Sequence, residues 1–111
     1  MGKSYFIISA DCIEKIDEVL QKVSDSELIL TPYSISYALS KGIDIDNILE
    51  KKRIRVRAYS HKPPKIQGIE DYYAEALMVA LDLGGILVTE DEKVINKARE
   101  LGVITKKPSE L

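Results

Sequence analysis

The first apolar stretch, Tyr5 to Ser9 (YFIIS), is a near-continuous hydrophobic run of strand length, the pattern of a strand buried on both faces. Asp11 then opens a helix. Ile13, Ile16, Leu20 and Val23 recur on one face, and Asp11 with Glu14 three residues on has capping-box spacing. Leu28 to Leu30 reads as a short second strand. Thr31-Pro32 is an N-cap and first-turn pair for a helix that carries Ile35 and Leu39 inward and stops at Gly42. Asp44 caps one more short helix, to about Lys52. Arg53 to Tyr59 alternates as a third strand, with Ile54, Val56 and Ala58 on one face and Arg53, Arg55 and Arg57 on the other.

Pro63-Pro64 and Gly68 mark a loop from His61 to Gly68. The longest helix spans Ile69 to Leu83, with Ala76, Leu77, Ala80 and Leu81 as its core stripe, and Gly84-Gly85 stop it. A fourth strand (Ile86, Leu87, Val88) runs straight into Glu90, Asp91 and Glu92. A helix from Glu92 to Leu101 ends at Gly102, and Val103-Ile104 is a short last strand. Residues 1–105 are expected to form one domain, and 106–111 a frayed C-terminal tail.

Strands that alternate with helices, and that are apolar throughout, predict a three-layer α/β/α fold on a parallel five-stranded sheet. Open parallel sheets bind ligands beyond the carboxyl ends of their strands, where the strand order reverses. Asp11 leaves the first strand and Asp91 the fourth. In a doubly wound order of 3-2-1-4-5 these strands are neighbours, and the two aspartates face each other across one crevice.

Composition narrows the chemistry. Sixteen basic against 18 acidic residues give a net charge of −2, so a nucleic-acid surface has to come from local clustering. The single Cys12 excludes an internal disulfide and a cysteine-based zinc cluster, and reads as a small packed hydrophobe. There is no apolar run of membrane length and no signal-peptide pattern, so a cytoplasmic location with no membrane partner is expected.

"FIISADCI" and "ALMVALDLGGILVTEDEKVINKARELGV" together resemble the PIN-domain nucleases. The second segment carries most of the likeness: a small-residue helix, Gly-Gly, an apolar strand, Thr89-x-Asp91, an amphipathic helix and Gly-Val. The resemblance implies an α/β/α fold and a metal-dependent ribonuclease, in a family that includes VapC-type toxins and enzymes of ribosomal RNA maturation. It assigns Asp11 and Asp91 as metal ligands and Thr89 as the supporting hydroxyl. The family's third acid falls, counted back from Thr89, on or near Tyr73. Asp71 and Glu75 flank that register, i and i+4 on one helical face, and either can serve as a helper carboxylate. The fourth acid belongs on the helix after strand two, where this chain reads TPYSISYALSKG with no acid from Thr31 to Ile43. Hard oxygen ligands without His or Cys select Mg²⁺ or Mn²⁺. RNA is the implied partner, with an antitoxin-like protein as another.

Each residue also has a structural reading. Asp11 and Asp91 can serve only as helix caps, with Glu90 and Glu92 favouring the positive end of the last helix. Thr89 is an ordinary strand residue, Asp71 and Glu75 can be solvated, and His61 is a lone loop histidine. Arg53, Arg55 and Arg57 form either an RNA-binding row, about 7 Å between neighbours, or a charged edge strand that resists aggregation. Tyr33, Tyr37, Tyr72 and Tyr73 suggest a homodimer built from the Thr31 helix and the start of the long helix, or else line the core. Two functions follow: a small Mg²⁺/Mn²⁺-dependent endoribonuclease, or a non-catalytic RNA- or protein-binding module with a degenerate site. A phosphoacceptor receiver shares the strand order but wants paired acids after strand one, where "SADCI" has one.

Overall fold

The computed structural model describes residues 4–23 and 26–111. Five strands, β1 (Tyr5–Ile8), β2 (Glu27–Leu30), β3 (Ile54–Val56), β4 (Ile86–Val88) and β5 (Ile104–Lys106), form one sheet in the order β3-β2-β1-β4-β5. Every pairing is parallel, with Phe6 opposite Leu28 and Ile86, and Ile8 opposite Val88. Successive side chains of a strand point to opposite faces. In β1, Phe6 and Ile8 enter one core cluster and Ile7 the other; in β2, Leu28 and Leu30 are divided from Ile29 in the same way. That is why these strands read as unbroken apolar runs: both faces are covered.

The first cluster packs a 3-10 turn (Ala10–Lys15), α1 (Ile16–Lys22) and α3 (Ile45–Leu49) on one side of the sheet, through Ile13, Ile16, Val19, Ile45 and Ile48. The second packs α4 (Asp71–Leu83) and α5 (Glu92–Leu101) on the other side, through Tyr73, Leu77, Val79, Val94 and Ala98. Between the layers, α2 (Pro32–Ser40) lies against α4. The result is the expected three-layer fold and strand order, with the reversal between β1 and β4.

Several local expectations are corrected. The arginine-rich strand is only three residues long, and just Ile54 of its inward face is buried. Val56 is 48% exposed and Ala58 is exposed, because β3 is a sheet edge whose outer half has nothing packed on it. Leu39, expected inward, is 60% exposed, and α2 turns Ser34 and Ala38 inward instead. Ala38 packs into the first core cluster, and the neighbouring Tyr37 meets Tyr72 of α4. Leu81 is 47% exposed, whereas every residue from Tyr73 to Ala80 is buried, because α4 touches the sheet, α2 and α5 at once. The last residues carry regular structure where a tail was expected: Lys106 belongs to β5, Pro108 is buried in a 3-10 turn, and Lys22 Nζ donates to Pro108 O at 2.8 Å.

The turn from α4 into β4 has a strict steric requirement. Gly84 ends the helix in the left-handed region, at φ 62°. Gly85 is needed for a different reason: a Cβ there would stand 2.7 Å from Ile7 Cδ1 and 2.9 Å from the Tyr5 carbonyl oxygen. The second contact is backbone and cannot rotate away. Gly85→Ala is therefore expected to lower unfolding stability by about 1–3 kcal/mol, because β4 must shift off β1. A urea midpoint equal to that of the wild type would contradict this.

Candidate functional site

The site is built where β1 and β4 end side by side. The Ser9 N–H continues the ladder to Val88 O at 3.1 Å, and Thr89 N–H bonds Lys106 O at 3.1 Å. Both chains then turn away at the carboxyl edge. Asp11 falls in the first turn of the 3-10 segment and Asp91 caps α5, so the topology brings the two predicted acids to the same carboxyl edge of neighbouring strands.

Asp11 does not open a capped helix. Its carboxylate reaches across to the other strand end instead. Oδ1 accepts from Thr89 Oγ1 at 3.1 Å and contacts Ser9 Oγ, while Oδ2 accepts from the Glu90 N–H at 2.8 Å. Ser9 Oγ is buried and also lies 2.8 Å from Val88 O, so its one proton serves either acceptor. Thr89 is completely buried. Its hydroxyl donates to Asp11 and accepts the Asp91 N–H at 3.2 Å, and so ties the two aspartates together. Asp91 caps α5, with Oδ1 accepting the Val94 N–H at 3.1 Å.

The helper carboxylates take other places. Asp71 is exposed on the first turn of α4. Glu75 is only 4% exposed, and its Oε1 accepts the Tyr33 N–H at 2.9 Å. This bond explains why Thr31, the expected cap of α2, does not cap it: the Thr31 hydroxyl donates to Ser34 Oγ at 2.9 Å, and a carboxylate from α4 satisfies the helix N-terminus. At the family's third-acid register stands Tyr73, buried, with its ring centroid 4.8 Å from that of Tyr72. Burial first, then the Asp11 and Asp91 charges, raise the Tyr73 phenol above its usual range, so it stays neutral beside both acids. Among the described residues no group of three or more His, Cys, Asp or Glu side chains is arranged to hold a metal ion.

The surrounding charges are locally balanced. Lys15 Nζ lies 2.7 Å from Glu90 Oε1, and that hydrogen bond raises the lysine pKa; Lys107 Nζ lies 3.5 Å from Glu92 Oε1. Such exposed pairs add little to stability, because solvent and salt screen them. Cys12 is buried 3.7 Å from Asp11 Oδ2, and its thiol is pushed up to about 12, by burial first and then by the Asp11 and Glu90 charges. It packs as a neutral thiol.

The arginine row is broken. The Arg53 guanidinium turns to the end of α1, donating to Leu20 O at 2.5 Å, to Ser26 O at 3.3 Å and to Val23 O, a cation at a helix C-terminus. Arg55 donates to Lys52 O at 2.8 Å, and Arg57 stays exposed. His61 stands edge-on to Tyr59. Of the four tyrosines, Tyr37, Tyr72 and Tyr73 pack on one another inside the chain, which leaves Tyr33 as the exposed one, at 42%. Sequence reasoning missed Ser9; its signal was a hydroxyl at the end of an apolar strand, two residues before the acid. It also missed the commitment of Glu75, which has no local signature.

The Glu75 cap has a measurable consequence. Glu75→Ala removes the charged acceptor of the Tyr33 N–H and is expected to lower stability by about 2 kcal/mol. Glu75→Gln keeps an acceptor oxygen and is expected to cost less than about 1 kcal/mol. Equal urea midpoints for the two variants would show that the contact does not hold α2.

No protein-family model matches the sequence, and no curated protein does. Among solved structures, a PilT N-terminus domain protein from the hyperthermophilic archaeon Sulfolobus solfataricus P2 is 40% identical, with a TM-score of 0.87 over 96% of this chain and 88% of that one. A domain of a functionally unknown protein from Methanocaldococcus jannaschii DSM 2661 is 20% identical, with a TM-score of 0.69 over 94% of this chain and 90% of that one, and shares the fold. With the sheet order, the Thr89-x-Asp91 strand end and this level of identity together, the chain belongs to the PilT N-terminus (PIN) domain family.

Proposed function

We propose that the chain is a nuclease-type module that hydrolyses phosphodiester bonds of RNA, with Asp11 and Asp91 as the holders of a hydrated Mg²⁺ or Mn²⁺. The observation that carries this reading is the Thr89 bridge, which fixes both aspartates at the ends of adjacent parallel strands. The donor set suits a hard divalent ion that keeps most of its water. Asp11 Oδ2 and the second oxygen of Asp91 have acceptor capacity beyond the bonds to Glu90 and Val94. When bound, such an ion supplies charge neutralisation at the phosphate and a more acidic water. The chain's own part is preorganisation. Ser9, Thr89 and the Glu90 N–H orient Asp11, the α5 cap orients Asp91, and the neutral Tyr73 adds no further negative charge.

A second reading, a non-catalytic module that binds RNA or a protein on the same scaffold, is favoured by the diversion of Glu75 to Tyr33 and by the acid-free α2. Tyr33 and Leu39 on the outer side of α2 are the surface that an antitoxin-like protein or a second copy would cover.

Cleavage of a labelled single-stranded RNA with Mn²⁺ separates the two. A nuclease cleaves it, and Asp91→Asn reduces the rate by about 100-fold or more, because a ligand is lost. The melting temperature stays near that of the wild type, since Asn also caps helices. Wild-type protein inert with both Mg²⁺ and Mn²⁺ assigns the chain to the second reading.

A further inference from the structure

On the flank of α5, beginning at Lys93 just past Asp91, lies an open groove of about 420 Å³. One wall is a single stripe of α5: Lys93, Asn96, Lys97 and Glu100 follow one another at i, i+3, i+4 and i+7, the spacing of one helical face. The other wall is a tight turn. Ile66 and Ile69 pair across it, Gln67 and Gly68 form its tip, and Gly68 adopts φ +80° to close it. Half-buried Ile69 lines the groove between the walls.

The charge of this groove runs against that of the whole chain. Lys93, Lys97 and Arg99 line it with a single acid, Glu100, whereas the chain carries a net −2. Glu100 pairs with Lys97 at 2.7 Å, and among the described residues neither Lys93 nor Arg99 has an ion-pair partner. Lys93 stands two residues after Asp91, so the unpaired ammonium lies at the end of the groove nearest the crevice. The β3 edge, by contrast, has its first arginine turned into carbonyl oxygens of the protein.

We propose that this groove is the track for single-stranded RNA leaving the Asp11–Asp91 crevice, with Lys93 and Lys97 on successive phosphates and a base on Ile69 between the amides of Gln67 and Asn96. It rests on the nuclease-type reading for the choice of RNA. The two lysines, one turn apart, are about 6 Å from each other, a reach that spans neighbouring phosphates. Amide side chains offer both donors and acceptors to a base edge, and an apolar floor accepts the base face.

The test is fluorescence anisotropy with a labelled single-stranded RNA decamer in EDTA, across a salt series, with the full chain. Lys93→Gln/Lys97→Gln is expected to weaken binding about tenfold and to lower the salt slope by about 1.4, the loss of two phosphate contacts. Lys41→Gln, which removes a cation elsewhere on the surface, is expected to leave the affinity within about twofold. Affinity and slope unchanged in the double variant, or no binding of the decamer by the wild type at low salt, overturns the groove. Mn²⁺-dependent cleavage separates the two levels. Cleavage by the double variant at an unchanged KM removes the groove and leaves the nuclease. RNA held through Lys93 and Lys97 by a wild type that never cleaves removes the nuclease and leaves the groove.

Discussion

One carboxylate joins the two halves of the sheet. The connection leaving β1 leads outward to β2, and the one leaving β4 leads the other way to β5, so the two chain segments part at the carboxyl edge of the seam between β1 and β4. Asp11 spans that seam, taking the Thr89 hydroxyl with one oxygen and the Glu90 N–H with the other. The Thr89 hydroxyl passes the link on to the Asp91 N–H. A hydrogen bond to a charged acceptor contributes about 1.5–3 kcal/mol, so this short chain of contacts is a real constraint on how the two strand ends sit.

The same constraint concentrates negative charge. Asp11 follows β1 while Glu90, Asp91 and Glu92 follow the neighbouring β4, and like charges there repel. The protein offsets part of this with Lys15 on Glu90 and Lys107 on Glu92, and with the positive end of α5 under Asp91. It also limits the number of carboxylates in the crevice. Tyr73 takes a buried position beside the aspartates, and Glu75 is spent on the N-terminus of α2. Both features leave a site of two acids, which is the physical reason for proposing a hydrated ion in place of one fully enclosed by protein.

Much of the fold was legible in the sequence because the signals were local or periodic. The runs FII, LIL and ILV are apolar on both faces, as central parallel strands must be, and the glycines at 84 and 102 close helices in the left-handed conformation that favours them. Asp11, Thr89 and Asp91 were legible because each stands just past such a strand. Contacts between distant segments were not. Glu75 meets Tyr33 across 42 positions, and Arg53 meets the end of α1 across about 30, so nothing in their neighbours marks them. Leu39 and Leu81 misled because hydrophobicity alone cannot tell an inward stripe from its neighbour; α2 turns Ser34 and Ala38 inward, with Ala38 in the first core cluster.

The central claim is that Asp11 and Asp91 form one ion site, and titration of the metal-free protein with Mn²⁺, followed by the electron paramagnetic resonance signal of the free ion, tests it most directly. The expected result is one ion bound per chain, lost on Asp11→Asn and on Asp91→Asn, with both variants retaining the wild-type circular dichroism. Binding that persists in both folded variants, or a wild type that binds no Mn²⁺ at millimolar concentration, would contradict it.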